Sequence, residues 1–344
     1  MRSPLSTLCY VEQDGKYLML HRIRKEHDVN EGKWIGIGGH FEEGESPEDC
    51  LLREAREETG LTLTSWQFRG IVTFFSEGWP PEYICLYTAD AFEGELLPCD
   101  EGVLEWIPKE EITKLNLWEG DRIFLRLLAE DAPFFSLKLS YQGDTLTCAV
   151  LDGHPMELFD VCDGNGEPTG RVTERTIAHR LGLCHRTVHV WVVRKTKDGK
   201  WQILLQRRSA AKTYPLCYDV SAAGHIRAGD GYEESAFREL EEELGIKASA
   251  GELQYLGRFD GGEIETEFQG KPFHDREITA VYVCVRDMEA RDFLLQEEEV
   301  ESVLWMDYET CREKLEQRDE MFCIKLQSLL MLGRSLGAEE ENGI

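Results

Sequence analysis

The chain reads as two domains of mixed α/β class. Three observations predict this. Its 344 residues are about twice the length of a typical domain. A stretch of 23 residues beginning at Gly39, GHFEEGESPEDCLLREAREETGL, recurs without a gap from Gly224 as GHIRAGDGYEESAFRELEEELGI. Around each copy, segments with strand-type alternation and segments of helical pattern follow in the same order.

The elements run as follows. In the first half, Ser6–Val11 and Lys16–Leu20 alternate as strands about a Gln13-Asp14-Gly15 turn. After the repeated stretch come strands near Phe68–Phe75, Tyr83–Ala89 and Val103–Ile107. A helix is predicted over Asp121–Ala129, then a hairpin of Phe134–Tyr141 and Thr145–Leu151 turning at Gln142-Gly143-Asp144. In the second half, Val188–Arg194 and Gln202–Gln206 flank a Lys197-Asp198-Gly199 turn. Strands are expected at Ile278–Val285 and Val303–Met306, and a helix at Met321–Leu332. Turn residues cluster at Asp152-Gly153-His154-Pro155, so the division is expected there, giving domains 1–153 and 154–344.

Each repeat carries a marked helix. In the first, Ser46 is the expected N-cap, Pro47 the first helical residue, Asp49 the partner of a capping box and Gly60 the left-handed stop. In the second, Asp230 and Glu233 are expected as cap residues and Gly245 as the stop.

Charge narrows the function classes. There are 38 Lys and Arg against 66 Asp and Glu, a formal charge of −28. Both halves share it, since residues 1–153 hold 14 basic against 29 acidic residues. Nucleic acid and anionic membranes need a cationic surface and are poor partners for such a chain. The tail Ala338–Ile344 is acidic and expected to fray. Eleven cysteines, an odd number with no C-x-x-C, argue against a disulfide scaffold or zinc ribbon and fit a reducing cytoplasm. No apolar leader or membrane-length apolar stretch is seen, so a soluble, cytoplasmic protein is expected.

The repeated helix carries chemistry. Glu54, Glu57 and Glu58 stand at i, i+3 and i+4, within an arc of about 100° on one face. Like charges so placed repel, and a hard divalent cation is the natural counterweight. Arg53 lies four residues before Glu57, able to orient it. The second copy repeats the set as Glu239, Glu242 and Glu243 with Arg238. Gly38, Gly39 and Gly224 let backbone approach that face. A bare E-x-x-E-E is usually a solvated helix face. Seven fixed types at ~6% usage each have a chance of on the order of 10⁻⁹ per start, and the pattern occurs twice.

That pattern, G-x5-E-x7-R-E-U-x-E-E-x-G-U with U an apolar residue, resembles the signature of the Nudix hydrolase family. The first copy matches from Gly39 and Glu45 through Gly60 and Leu61. The second has Asp230 in place of the first Glu. The resemblance implies an α/β/α sandwich around a mixed sheet and a loop-helix-loop that binds Mg2+ or Mn2+. It implies a small-molecule nucleotide or diphosphate substrate, with water attacking a phosphorus. The general base it implies is a motif Glu or a Glu before a late strand. Those are Glu57 and then Glu101 in the first copy, Glu242 and Glu299 in the second.

Residues 5–150 resemble the MutT-type oxidised purine nucleoside triphosphate diphosphatases, which cleave 8-oxo-dGTP to monophosphate and pyrophosphate. In Leu117-Trp118-Glu119-Gly120-Asp121, Trp118 and Asp121 match that family's purine-binding motif, while Gly120 replaces an Asp. Ile35 replaces its base-reading Asn. Trp118 either stacks on a base or packs in the core. Cations at His21–Lys25 and Lys33 are candidates for phosphate contact.

The second copy resembles the isopentenyl-diphosphate isomerase branch of the family. His179, His185, His225, Asp275 and Glu277 match that branch's metal ligands, with Asp275 for a Glu. Its catalytic Cys is Ala223 here, and Cys217 is out of register. Protonating an alkene needs that residue, so a hydrolase of an unidentified diphosphate is the expected activity. An isomerase and a non-catalytic ligand-binding module are the alternatives. Arg207, Arg208 and Lys212 are the expected pyrophosphate contacts.

Overall fold

The structure is a computed structural model that describes residues 4–23, 29–268 and 270–338. Arg24, Lys25 and the tail beyond Ala338 lie outside the described residues. The chain divides into two compact units: Met1–Leu158 with Val172–Ile177, and Phe159–Arg171 with Ala178–Ile344.

The first unit contains β1 (Leu5–Gln13), β2 (Lys16–Arg22), β3 (Trp34–Ile35), α1 (Pro47–Thr59), β4 (Thr62–Ser76), β5 (Glu82–Glu93) and β6 (Gly102–Pro108). Then follow α2 (Glu119–Ala129), β7 (Phe135–Gln142), β8 (Thr145–Leu151) and β9 (His154–Pro155). Among the described residues the strands form one mixed sheet in the order β3-β2-β1-β5-β4-β7-β8-β9, with β6 also paired to β2. β1 runs parallel to β5 and β4 parallel to β7. β9 continues the sheet past Gly153.

Alternation along β1 assigns the two faces. Cys9 and Val11 pack with Leu51 and Ala55 of α1 in one buried cluster. Tyr10 points the other way and meets Phe124 of α2, ring centroids 6.0 Å apart. The sheet is thus covered by α1 on one face and α2 on the other. Ser46 caps α1 through the Asp49 N–H, Asp49 answers to the Ser46 N–H, and Gly60 ends the helix at φ +77°.

The second unit holds most of β10 (Leu158–Cys162), β11 (Pro168–Glu174) and α3 (Arg175–Leu181), then β12 (His185–Lys195), β13 (Trp201–Arg208), β14 (Tyr218–Asp219) and β15 (Ala222–His225). After α4 (Tyr232–Leu244) come β16 (Leu253–Phe268), β17 (Lys271–Val285), β18 (Val300–Asp307), α5 (Tyr308–Glu316) and α6 (Leu326–Leu336). Its main sheet runs β14-β13-β12-β17-β16, with β15 on β12 and β18 on β13. Val188, Val190 and Val192 pack with Ala236, Leu240 and Leu244 of α4. Trp191 and Val193 face Tyr308, Cys311, Leu329 and Leu332 of the last two helices. The layering repeats that of the first unit.

Three expectations change. The helix of the second repeat starts from Gly231, which stands where Ser46 does in the first and has no side chain to cap with, and Asp230 lies one residue too early. Asp230 and Glu233 therefore do not cap it. The last helix starts at Leu326 rather than Met321, since Met321 and Cys323 run extended and exchange backbone bonds with Tyr218. β16 was not anticipated, because its glycines and bulges interrupt the period-2 pattern.

Leu51 is fully enclosed between α1 and the sheet. Leu51→Ala is expected to cost about 2–5 kcal/mol, read as a shift in the urea midpoint at unchanged slope.

Candidate active sites

In the first unit the backbone at Gly36–Gly39 lies against β1: Ile37 and Cys9 exchange N–H to carbonyl bonds, and Thr7 N–H donates to Gly39. This threads Gly38 and Gly39 under α1. A Cβ at Gly39 would overlap the Glu54 carboxylate, and one at Gly38 the Thr7 carbonyl. The Gly38 N–H donates to Glu58 at 2.9 Å. The motif glycines are therefore the seat on which the carboxylates rest.

Arg53 sits among the acids. It donates to Glu45 at 2.7 and 3.0 Å, to Glu54 at 2.6 Å, to Glu57 at 3.1 Å and to the His40 carbonyl at 3.0 Å. Those bonds hold the Glu45 carboxyl below its usual range. Burial raises Glu54, against the pull of Arg53. Burial pushes Glu58 up to about 8, despite the Gly38 bond. Glu57 is 61% exposed and faces water. Glu101, just before β6, contacts Arg22, which also lies 3.9 Å from Glu58. Glu54, Glu57, Glu58 and Glu101 thus converge with Arg53 at one end of the sheet.

The second unit repeats the seat. A Cβ at Gly224 would overlap Glu239. Ala223 N–H and Gln206 donate to Glu243 at 3.0 and 3.2 Å. Burial raises Glu239 and pushes Glu243 up to about 8. Arg238 bridges Glu239 at 2.7 Å and Glu242 at 3.1 Å, and donates to the His225 carbonyl at 2.9 Å. One partner differs. Arg53 Nε donates to Glu45, whereas Arg238 Nε is buried without a hydrogen-bond partner, and Asp230 takes no part in that network. Position 230 holds the shorter Asp where the first unit has Glu45.

Buried like charges and glycine seats fit a hard divalent cation. The donors are carboxylate oxygens, and burial drives two of each three acids toward neutrality unless a positive charge joins them.

A second cluster lies beside the first in this unit. His179 of α3, His185 of β12, His225 of β15 and Asp275 and Glu277 of β17 converge. His185 Nε2 stands 3.7 Å from Asp275 and 4.0 Å from Glu277. His225 Nε2 is 3.7 Å from Glu277, and His179 Nε2 3.9 Å from Asp275. Register explains the grouping: β12 pairs His185 with Glu277 and Thr187 with His225. Phe159 stacks on His185 and His225, and Phe273 stacks on His179. The sequence carries no local signal for these aromatic walls.

The remaining residues have definite places. Trp118, the N-cap of α2, is buried edge-on against Phe74 and Tyr141, and its Nε1 donates to Asn30 at 2.9 Å. Lys33 lies 4.6 Å from the Trp118 ring centre and 3.3 Å from Asp144. Gly120 N–H donates to the Tyr141 hydroxyl, and a Cβ at Gly120 would strike Tyr141 and Leu139. The Asp of the related motif has no room here. Burial pushes the Asp121 carboxyl up to about 8. Arg208 is committed to Asp219 at 2.7 Å and to Thr213 at 2.7 and 3.0 Å, which leaves its guanidinium few directions toward a phosphate. Arg207 pairs with Glu301 and the Leu216 carbonyl. Lys212 reaches Glu243 at 3.7 Å and contacts Glu299. Among the described residues no helix is long and apolar enough to cross a membrane.

Two outcomes follow from these environments. Asp230→Glu should restore the missing Arg238 bond and stabilise the chain by about 1 kcal/mol, read in thermal unfolding. Asp121 holds its proton in the folded chain up to about pH 8, but releases it near 3.8 when unfolded. Its contribution is full below pH 3.8, declines as pH climbs toward 8, and is flat above. Asp121→Asn should flatten that part of the stability–pH curve.

The comparisons agree on one family. The NUDIX domain profile matches residues 2–128 and 185–323. A 169-residue stretch is 39% identical to Nudix hydrolase 3 of Arabidopsis thaliana, covering 48% of this chain and 21% of that protein. Over 144 residues the chain is 35% identical to an uncharacterized Nudix hydrolase of Clostridium acetobutylicum, covering 42% and 66%. Over 142 residues it is 30% identical to the oxidized purine nucleoside triphosphate hydrolase of Danio rerio, covering 41% and 88%. The chain therefore spans about a fifth of the Arabidopsis relative and about two thirds of the Clostridium one. With a glutamate–arginine seat under each of two profile matches, the chain belongs to the Nudix family and carries two Nudix domains.

Proposed function

We propose that the chain is a tandem Mg2+-dependent pyrophosphohydrolase, with one hydrolase domain in residues 1–153 and another in 154–344. The single observation that carries this reading is the intact acid–arginine seat in both units. The ligands would be Glu54, Glu57 and Glu58 in the first, and Glu239, Glu242 and Glu243 in the second. A bound Mg2+ or Mn2+ supplies positive charge to the pyrophosphate oxygens. Arg53 and Arg238 keep the acids apart and oriented. The carboxylate of Glu57 or Glu101 takes a proton from the attacking water as its oxygen bonds to phosphorus and the bond to the leaving phosphate breaks.

The first domain acts on purine nucleoside triphosphates, oxidised ones such as 8-oxo-dGTP included, releasing monophosphate and pyrophosphate. The Danio rerio relative's activity supports this, as do Trp118, Asp121 and Lys33 grouped at the start of α2. An Asp121 that keeps its proton near neutral pH donates a hydrogen bond to a purine acceptor rather than repelling it. Lys33 offers its charge beside the buried Trp118 ring.

The second domain hydrolyses a nucleoside diphosphate derivative, with Arg208 ordering the Thr213 loop and Lys212 near the diphosphate. The convergence of His179, His185, His225, Asp275 and Glu277 favours one other reading, an isopentenyl-diphosphate isomerase. Ala223, a methyl where that chemistry uses a thiol, speaks against it.

Glu57→Gln is expected to lower 8-oxo-dGTP turnover by about 100-fold or more while the melting temperature stays within a few degrees. Unchanged turnover would reject the assignment. A panel of dGTP, 8-oxo-dGTP, ADP-ribose, CDP derivatives and isopentenyl diphosphate, run with Glu57→Gln and Glu242→Gln separately, assigns products to each domain. Isomerised product abolished by Glu242→Gln would establish the other reading.

A further inference from the structure

We infer that Arg22 and Lys212 are positioning residues: each holds the glutamate before the late strand, Glu101 or Glu299, over the third motif carboxylate. The inference rests on the reading of both units as hydrolases with a glutamate base. In the first unit Arg22 contacts Glu101 and stands 3.9 Å from Glu58. In the second, Lys212 contacts Glu299 and stands 3.7 Å from Glu243. The two acid pairs are equivalent, but the two cations are not. Arg22 ends β2 and lies in register with Gly102, the residue after Glu101. The matching residue of the second unit is Arg208, in register with Val300, the residue after Glu299. Arg208 turns away to Asp219, and the charge comes instead from Lys212, four residues on in the loop.

The same bridge is therefore built from two places in the chain. A solvated surface cation has no reason to recur in that way. The electrostatics supply one. Glu58 and Glu243 are buried, while Glu101 and Glu299 are a third or more exposed and would swing toward water, away from other negative charge. Glu101 feels Glu54 and Glu58, and Glu299 feels Glu243. A cation between the two acids offsets that repulsion and holds the outer carboxylate over the motif face, where an attacking water would stand. Neither cation need touch a phosphate to matter.

Steady-state kinetics of the full chain on 8-oxo-dGTP test this with Arg22→Ala, Arg22→Lys, Glu101→Gln and the double variant. Arg22→Ala should lower kcat about 10- to 100-fold with KM within about twofold, and Arg22→Lys should recover most of it. Added to Glu101→Gln, Arg22→Ala should cost nothing further, because it acts through that glutamate. A raised KM at constant kcat would make Arg22 a phosphate contact and overturn the inference, as would multiplying losses in the double variant. Titration with Mn2+ alone gives a second readout. Arg22→Ala and Lys212→Ala each remove a positive charge beside a metal carboxylate, so Mn2+ should bind about two- to tenfold tighter. Unchanged or weaker binding overturns the inference. If the native chain cleaves no nucleoside triphosphate, the functional reading fails separately, and the Mn2+ titration still decides where the cations act.

Discussion

Three glutamates on one helix face, the first and third of them pressed onto a glycine seam, are the constraint around which each unit is arranged. The helix cannot approach the first strand closely unless the residue beneath Glu54 or Glu239 lacks a side chain. Once it does approach, the third acid of each set is buried, where a naked charge is costly. Arginine, backbone N–H groups and a nearby cation share the task of stabilising that charge. The core and the seat share one stripe: Leu51 and Ala55 of α1 are buried with Glu58, and Ala236, Leu240 and Leu244 of α4 with Glu239 and Glu243, while Glu57 and Glu242 face outward.

The two units solve the same electrostatic problem with different parts. In the first, Glu45 accepts from Arg53 Nε and from one terminal nitrogen, and Arg22 comes from the strand end. In the second, Asp230 falls short, Arg238 retains an unsatisfied nitrogen, and the strand-end arginine has gone to Asp219. That departure has a structural use. The Arg208–Asp219 pair, with its bonds to Thr213, ties β13, β14 and the loop carrying Lys212 into one piece. The second unit also carries a histidine–carboxylate group that has no equivalent in the first among the described residues.

Much of this was readable in the residues alone. The helix, its caps in the first copy and its clustered carboxylates follow from short-range pattern and from a repeat that chance does not produce, and the layered fold from the family resemblance that the repeat carries. The histidine group was reached through resemblance, and strand register brings it together. What escaped depends on contacts distant in sequence. Asp230 looked like a cap because its residue type is right, but the helix begins one residue later, from Gly231. Arg208 looked available to phosphate because nothing nearby in sequence reveals Asp219. The Trp118 surroundings, Asn30, Phe74 and Tyr141, come from three separate segments with no local signal. β16 carries glycines and charges that disguise a strand until β17 is laid beside it.

The parallel pairing at the centre of each sheet has a kinetic consequence. β1 meets β5 across roughly 80 residues, and β12 meets β17 across roughly 90. Such closures are slow, because chain entropy is lost before the contacts form. The motif helices are local and can form early, but the acids they carry are buried only when the central pair closes. In the second unit His185 and Glu277 face each other in that very pair. Closing that pair is what brings His185 beside Glu277. In each domain the charge cluster is complete only once that long-range closure is made.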